Sequence, residues 1–239
     1  MSDSTRPLRV LITAGGTKVR IDDVRHLGNF AKGGFGTLLG SAFTDRGAEV
    51  TLLGSEDCLE RIRHRGLENQ FHRLVSFKFY DELHHRLFGL IRDRRPDVLL
   101  MSAAVSDWLC ANPHVGKISS CEERMSIEFV RAPKIIKELR MACGIKTFLV
   151  GFKLLSRAPN EELIAKAGAQ VRDNRLNLTI ANDLSKIKDG QHPVQLVTPE
   201  GGVIPIEGMR ADVAQEIVDF ILRRRNVAWS KSVQVTEME

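Results

Sequence analysis

Two glycine-rich stretches near the start of the chain have the residue types needed to hold a phosphate. The first, Thr13-Ala-Gly-Gly-Thr17, contains Gly15 and Gly16, and the second runs from Asn29 to Gly36. Glycines let the backbone approach an anion, and a helix beginning near Gly33 would offer unpaired N–H groups. The same pattern is also explained by turn glycines with tight helix packing. Alone, it does not define a site.

Two polar side chains accompany the second stretch. Asn29 can direct its amide at a substrate or act as a helix cap. Lys32 can contact a phosphate or extend into solvent. The residue types leave both alternatives open.

A further group of small and polar residues follows the buried run that ends at Met101. Ser102 and Ala103 leave room for a flat ring or a ribose, and Asp107 can accept bonds from hydroxyls or from a base edge. Asp107 can equally cap a turn. Lys117, farther on, could neutralise a triphosphate and stabilise charge that develops during attack, although a lone lysine is usually solvated.

Two more apolar runs end in residues that could contact a ligand. Phe152, within Val150-Gly-Phe-Lys-Leu154, could stack on a base, although an aromatic residue there is more often part of a core. Ala181-Asn-Asp-Leu184 offers two polar side chains that either hold a ligand or turn the chain by Asx bonding.

The alternation of elements predicts how these segments are positioned. Strands are predicted at residues 8–13, 50–53, 71–77, 97–101, 148–152 and 176–181, with helices at 33–46, 80–91 and 161–172. This order predicts an α/β fold with a doubly wound, Rossmann-like parallel sheet and right-handed crossovers. In such folds ligands bind beyond the carboxyl ends of the strands, and the candidate residues follow strands.

The remaining patterns complete a single predicted domain at residues 1–225. Residues 125–130 alternate as in an exposed or hairpin strand, and Pro133 suits the first turn of a helix running to about residue 142. Residues 193–197 and 202–206 flank a turn and predict a C-terminal antiparallel hairpin. An amphipathic helix is predicted at 212–225, and residues 226–239 are expected to form a flexible tail.

Composition narrows the class of protein. The 239 residues suit one large α/β domain better than two small ones, and the net charge is +5. The arginine clusters that contribute this charge either complement the dipoles at helix C-termini or create an electrostatic field that attracts anions. The four cysteines lack Cys-x-x-Cys or zinc-ligand spacing. Low aromatic content argues against a nucleic-acid platform. No signal-peptide core or membrane-length apolar run is present, so a cytoplasmic location without membrane partners is expected.

Taken together, the segments resemble the phosphopantothenate-cysteine ligase family over residues 8–224. The matching pieces, in family order, are Ile12-Thr-Ala-Gly-Gly-Thr17, Ile21-Asp-Asp-Val-Arg25, Gly28-Asn-Phe-Ala-Lys-Gly33, Ala103-Ala-Val-Ser-Asp-Trp108, Lys117-Ile-Ser-Ser120, Val150-Gly-Phe-Lys153 and Ile180-Ala-Asn-Asp183. The Lys-Ile-Ser-Ser form resembles the stand-alone bacterial ligases. The length agrees with that form, in which no cysteine-decarboxylase flavoprotein domain precedes the ligase.

The resemblance implies a two-step synthesis in coenzyme A biosynthesis. The carboxylate of 4'-phosphopantothenate attacks the α-phosphate of a nucleoside triphosphate, with CTP favoured over ATP, and pyrophosphate leaves. The amine of cysteine then attacks the acyl-nucleotide. Mg²⁺ accompanies the triphosphate as cofactor, and the family is commonly homodimeric. Metal ligands stay unassigned.

The resemblance also assigns roles to individual residues. Lys117 would contact the phosphates and act in catalysis, and Asn29 would bind phosphopantothenate or the acyl intermediate. The nucleotide site would be formed by Gly15, Gly16, Met101, Ser102, Ala103, Asp107, Pro133, Lys134, Ile135, Ile136 and Phe152. Lys166 and Arg172 are the candidates for the basic residues that the family carries on the next helix, at a different spacing here.

One departure from the family keeps two other classes open. The loop reads Phe30-Ala-Lys32, where relatives carry two small hydroxyl residues before the glycine. This loss suits a non-catalytic nucleotide-binding relative. A nicotinamide-dependent oxidoreductase would need an acid after the second strand, which Glu56 and Asp57 supply, and a compact Gly-x-Gly-x-x-Gly, which is missing.

Overall fold

The computed structural model describes residues 6–121 and 123–236, with side chains described up to residue 226. Its centre is an eight-stranded sheet in the order β12-β11-β10-β9-β6-β1-β4-β5. The strands are β1 (Arg9–Ala14), β4 (Glu49–Ser55), β5 (Arg73–Phe77), β6 (Val98–Met101), β9 (Phe148–Leu155), β10 (Leu178–Asp183), β11 (Val194–Val197) and β12 (Val203–Ile206). The six strands from β10 to β5 are parallel. β11 and β12 pair antiparallel, which confirms the predicted hairpin.

Helices cover both faces of this sheet. They are α1 (Gly34–Thr44), α2 (Glu56–His64), α3 (Tyr80–Asp93), α4 (Leu139–Cys143), α5 (Asn160–Asp173) and α6 (Arg210–Thr236). Successive β1 side chains point to opposite faces. Val10 and Ile12 therefore join the core formed with α1, α2 and α6, while Leu11 joins the core formed with α3 and α4. The doubly wound α/β prediction is confirmed.

The strand order creates a switch point between β1 and β6. From β1 the chain continues outward to β4 and β5, and then returns to the other side of β1 as β6. The chain after β1 leads to α1 on one face of the sheet and the chain after β6 leads to α4 on the other face, and ligands of such sheets bind at a switch point of this kind. Both loops carry predicted site residues.

Two small antiparallel sheets extend from the carboxyl edge of the main sheet. β2 (Lys18–Arg20) pairs with β3 (His26–Gly28) inside the long connection between β1 and α1. β7 (Trp108–Cys110) pairs with β8 (Phe129–Arg131), and β2 contacts β7. The β2–β3 insertion explains why no compact dinucleotide fingerprint fits between β1 and α1.

The structure corrects three boundaries. The predicted strand at 125–130 is the shorter β8. The predicted helix from Pro133 is a 3-10 turn, Ile135–Lys137, followed by α4. Lys137 N donates to Lys134 O (3.0 Å), the shorter 3-10 spacing, and the Pro133 carbonyl accepts from the hydroxyl of Tyr80 (2.7 Å) instead. Helix α6 continues past the predicted end at residue 225 to Thr236, and residues 237–239 lie outside the described part.

The described helices include none with the combined length and apolarity that a membrane span requires.

Candidate active site

The loops after β1 and β6 are joined by backbone hydrogen bonds at the switch point. Ala104 N donates to Gly15 O (2.8 Å), and Thr17 N donates to Ala104 O (3.1 Å). Asn29 Nδ2 donates to the same carbonyl at 3.1 Å. Asn29, Gly15 and Gly16 are therefore brought together with the Ser102–Asp107 segment, as the resemblance implied, although their positions are far apart in the sequence.

Buried hydroxyls orient the loop after β6. Thr13 Oγ1 accepts from Ala103 N (3.1 Å), and Thr17 Oγ1 accepts from Ser106 N (2.8 Å). Thr13 and Thr17 are both fully buried. These two hydrogen bonds hold the backbone of the loop that carries Asp107. Neither threonine is among the site residues predicted from the sequence.

Close packing around Gly15 and Gly33 brings the two glycine-rich stretches into contact. Both have positive φ (91° and 74°), a region that favours glycine. A Cβ on Gly15 would lie 2.1 Å from Ser55 Oγ, and one on Gly33 would lie 2.9 Å from Gly15 N. A Cβ on Gly36 would lie 3.2 Å from Ser102 Oγ. The first turn of α1 therefore lies beside both strand ends.

The N-terminus of α1 is suited to an anion. Its N-cap residue, Gly33, makes no side-chain cap, and its first turn holds no acidic residue. The first-turn N–H groups of such a helix have no intrahelical partner. Arg210 lies nearby, since its Nη1 would be 3.7 Å from a Cβ on Gly34. The sequence analysis did not single out Arg210.

His192 stacks against the same helix turn. Its ring centroid lies 4.0 Å from that of Phe35 in α1, and Phe35 makes an edge contact with Phe152 (6.5 Å). Burial and, second, the charge of Arg210 lower the pKa of His192 to about 4, so the ring is neutral at pH 7. Phe152 is thus half-buried beside α1, at the edge of the crevice.

The predicted base and ribose residues are only partly assembled. Lys134 Nζ, in the segment after β8, forms an ion pair with Asp107, the residue before β7. Ile136 lies against Gly151, next to Phe152, and Pro133 is held by Tyr80. A nucleotide hydroxyl that bonds Asp107 would have to share that carboxylate with Lys134.

Three predicted residues are placed differently. The side chains of Met101 and Ile135 are buried in the core with α3 and α4, so a bound ligand would reach only their backbone. Lys166 pairs with Glu162 one turn earlier on α5 (2.6 Å). Among the described residues, this is its one ion pair, and it does not involve another predicted site residue.

Lys117 is exposed and follows the β7 strand on an irregular segment. The turn at residues 21–25, called here the 21–25 turn, binds the backbone on both sides of it. Asp23 Oδ2 accepts from Gly116 N (2.8 Å), and Asp22 Oδ2 accepts from Ile118 N (3.1 Å). Two adjacent acids in a tight turn were the available signal for this anchoring.

At the end of β10, the Asx alternative is the one observed for Asp183. Its Oδ1 accepts from Ser185 N (2.8 Å) and Arg157 N (3.0 Å), and hydrogen bonds from Ser185 lead the causes that lower its pKa. A cavity of about 250 Å³ opens beside it. Its polar lining includes Asn160, Asn182, Lys186, Gln191 and Glu207.

Within the described ranges, no three His, Cys, Asp or Glu residues converge as a metal site. Mg²⁺ commonly keeps several waters and binds substrate phosphates with one or two carboxylates.

Residues 5–224 match the family model of the DNA/pantothenate metabolism flavoprotein C-terminal domain. The chain belongs to this family. The coenzyme A biosynthesis bifunctional protein CoaBC of Methanocaldococcus jannaschii is 32% identical over 218 residues, which are 89% of this chain and 50% of the relative. The CoaBC of Thermococcus kodakarensis is 32% identical over 79% of this chain and 44% of the relative. This chain therefore spans about half the length of these relatives.

Solved structures of the family share the fold. The DNA/pantothenate metabolism flavoprotein of Streptococcus pneumoniae superposes with a TM-score of 0.76 at 24% identity, covering 92% of this chain and 99% of that one. A CoaBC C-terminal domain gives a TM-score of 0.69, also at 24% identity, over 92% of this chain and 96% of that one. The predicted family and fold are both confirmed.

Proposed function

We propose that this protein is a phosphopantothenate-cysteine ligase that makes 4'-phosphopantothenoylcysteine for coenzyme A biosynthesis. The observation that carries the proposal is the convergence of Asn29, Gly15 and the segment leading to Asp107 at the switch point, in a chain 32% identical to CoaBC. A structure of Cab2 mutant H337A in complex with phosphopantothenate-cysteine has the same fold, with a TM-score of 0.75 at 20% identity. It covers 93% of this chain and 88% of that one.

In the first step, an oxygen of the phosphopantothenate carboxylate bonds to the α-phosphorus of the triphosphate. The bond from that phosphorus to the bridging oxygen breaks, and pyrophosphate leaves with the electron pair. Two anions approach each other in this step, so positive charge lowers the barrier. Lys117, Lys134 and the uncapped N-terminus of α1 can supply it.

In the second step, the neutral amine of cysteine attacks the acyl carbon, and the bond to the nucleotide phosphate breaks. The nucleoside monophosphate leaves, and the amine loses a proton to solvent or substrate. The carbonyl oxygen gains negative charge in the transition state. The Asn29 amide, already turned toward the switch point by its bond to Ala104 O, can donate to that oxygen.

Nucleotide choice and metal are parts of the proposal. We favour CTP over ATP on the family resemblance, with Asp107 accepting from the ribose or base and Phe152 beside the base. Mg²⁺ would be bound by the triphosphate and reduce its charge.

A homodimer in the cytoplasm completes the proposal. Among the described residues, seven of the fourteen exposed large hydrophobic side chains lie in the two small sheets or in the loops next to their strands, namely Val24, Leu27, Phe30, Trp108, Val115, Met125 and Val130. Clustered apolar exposure of this kind marks protein interfaces. All four cysteines are free thiols, which suits a reducing compartment.

The deciding experiment is direct. The protein is incubated with 4'-phosphopantothenate, cysteine, Mg²⁺ and either CTP or ATP, and pyrophosphate is measured. We expect release that depends on phosphopantothenate and is faster with CTP. If pyrophosphate is released with neither nucleotide while calorimetry detects nucleotide binding, the protein is instead a non-catalytic nucleotide-binding relative. The Phe30-Ala-Lys32 loop, which lacks the hydroxyl residues of the family, is the observation that favours this alternative.

A further inference from the structure

The side chain of Lys117 is not held in place by contacts of its own among the described residues. Its side chain is exposed, and among the described residues its Nζ has neither a hydrogen bond nor an ion pair. In the part of the β7–β8 connection that the structure describes, no helix or strand surrounds it. Because misplacement of a reacting group by about 1 Å can cost 100-fold in rate, a lysine on such a segment needs its backbone held.

The 21–25 turn holds that backbone on both sides of the lysine. Asp23 pairs with Gly116 twice, through Oδ2 accepting from Gly116 N (2.8 Å) and through its own N donating to Gly116 O (3.1 Å). Asp22 Oδ2 accepts from Ile118 N (3.1 Å). Arg25 Nη1 donates to Ile118 O (3.3 Å). The residues immediately before and after Lys117 are therefore both fixed.

The Asp22 carboxylate is buried and its acceptor capacity is well used. Oδ1 accepts from Val24 N (2.9 Å) and Arg25 N (2.6 Å), and Oδ2 also accepts from Arg25 Nη1 (3.1 Å). Burial favours a raised pKa, but the hydrogen bonds from Ile118, Val24 and Arg25 outweigh it and lower the pKa of Asp22. The group stays ionised at neutral pH, when its negative charge faces the Arg25 guanidinium.

The turn is itself anchored to the main sheet. It connects the paired strands β2 and β3, and Ile21 N donates to Arg25 O across it (3.1 Å). Lys18 N, at the start of β2, donates to Lys78 O just after β5 (2.9 Å). His114 N donates to Ile21 O (2.9 Å). A chain of backbone hydrogen bonds therefore connects the main sheet, through the 21–25 turn, to the residues beside Lys117.

We propose that Asp22 is a positioning residue for Lys117, with Asp23 as a weaker second anchor. Asp22 does not touch substrate; it holds the backbone at Ile118 so that the lysine keeps a fixed position relative to the main sheet. The inference rests on the proposed ligase function and on the role of Lys117 in it.

Asp22→Asn tests the anchoring without reference to catalysis. The substitution keeps the shape but replaces one acceptor oxygen with a donor, which faces N–H groups in either amide orientation. We expect hydrogen exchange of the Gly116 and Ile118 amides to accelerate about tenfold, with exchange in the core strands unchanged. Asp93→Asn is the matched control, because Asp93 is exposed on α3 and pairs only with Arg73 (3.6 Å).

Kinetics then test the link to Lys117. In single-turnover formation of the acyl-nucleotide, Asp22→Asn should slow the step about 100-fold, with a smaller change in the KM for CTP. Added to Lys117→Gln, the same substitution should cause almost no further loss, since residues that act through one another are not additive. Asp23→Ala, at an exposed position, should give the same pattern at about tenfold and replaces Asp22→Asn if that variant does not fold.

Each outcome decides the matter. Faster exchange, a slower step and non-additivity together support the proposal. Unchanged exchange, an unchanged rate, or losses that multiply with those of Lys117→Gln overturn it while leaving the ligase function intact. If the wild-type protein forms no acyl-nucleotide, or if Lys117→Gln is fully active, the proposed function or the role of Lys117 fails first, and the positioning role fails with it.

Discussion

At the scale of single residues, the predicted site contains cationic side chains and one carboxylate that is already in an ion pair. Lys117 and Arg210 have no ion-pair partner among the described residues, whereas Asp107 is paired with Lys134. Arg210, beside the uncapped N-terminus of α1, favours a bound polyphosphate over a neutral ligand at that helix end. The exposure of Lys117 makes its contribution to rate testable without large effects on folding.

We expect Lys117→Gln to lower kcat about 100- to 1000-fold, because one charge-stabilising donor is lost from the transition state. Pyrophosphate release measures the effect, and circular dichroism checks that the fold is retained. Lys188→Gln, at an exposed loop position, is the matched control and should be fully active. An active Lys117→Gln would remove this residue from the mechanism.

Gly15 combines a left-handed backbone conformation with a close neighbouring side chain, that of Ser55. Gly15→Ala should reduce the free energy of unfolding by about 2–4 kcal/mol, since a side chain there is strained at positive φ and also overlaps Ser55. Ser55 cannot move easily because it caps α2. Urea denaturation gives the measurement.

Gly47→Ala separates the two causes. Gly47 has positive φ (78°), but a Cβ there meets no atom within 4 Å, so only the backbone strain of about 1–2 kcal/mol should be seen. Equal losses at the two positions would mean that contact with Ser55 is unimportant.

At the scale of elements, Asp97 joins three parts of the fold at the amino edge of the sheet. It precedes β6, accepts from Arg9 N at the start of β1 (2.9 Å) and pairs with Arg6 (2.7 Å). Arg225 of α6 lies 3.7 Å away. Burial favours a raised pKa for Asp97, but the Arg6 and Arg9 hydrogen bonds and the charges of Arg6 and Arg225 lower it.

Asp97→Asn should therefore destabilise the protein by about 1–2 kcal/mol at pH 7, a value that allows for the partial exposure of Arg6. A lowered carboxyl pKa stabilises the fold above its unfolded value, and the stabilisation is lost as pH falls through the folded pKa. The difference between wild type and variant should shrink below about pH 4. Chemical denaturation at pH 7, 5 and 3 measures it; a difference that grows toward pH 3 would contradict this assignment.

At the scale of the whole molecule, half of the exposed large hydrophobic side chains among the described residues belong to the two small sheets and the loops next to them. If that face is the dimer interface, Leu27→Asp with Val130→Asp should convert the dimer to a 26.8-kDa monomer, because two buried charges cannot be paired across it. Sedimentation velocity gives the mass. Ile145→Asp is the control, since Ile145 is 89% exposed far along the chain, after α4. A wild-type monomer would refute the interface.

Much of the fold could be predicted because its signals are local. Short apolar runs such as β1 and the helical spacing of Leu83 and Leu87 in α3 reflect burial that each segment must achieve wherever it lies. The 3-10 turn after Pro133 could not be predicted in this way, since its surroundings include Tyr80 of another helix, whose hydroxyl is the partner of the Pro133 carbonyl. The continuation of α6 beyond residue 225 was likewise missed, as charged residues there resemble a helix end.

The sequence by itself determined the family, the alternation of strands and helices, and the types of residue that follow each strand, because short motifs and hydrophobic period are encoded over a few neighbouring positions. Only the tertiary structure decided which of those residues meet. It joins Asn29 to Ala104 by a hydrogen bond and pairs Lys134 with Asp107. It also buries the side chains of Met101 and Ile135, and it bonds the Asp22 carboxylate to the amide of the residue after Lys117. The physical reason is that these contacts depend on sheet order and on loop hydrogen bonds between distant segments, which no local pattern specifies.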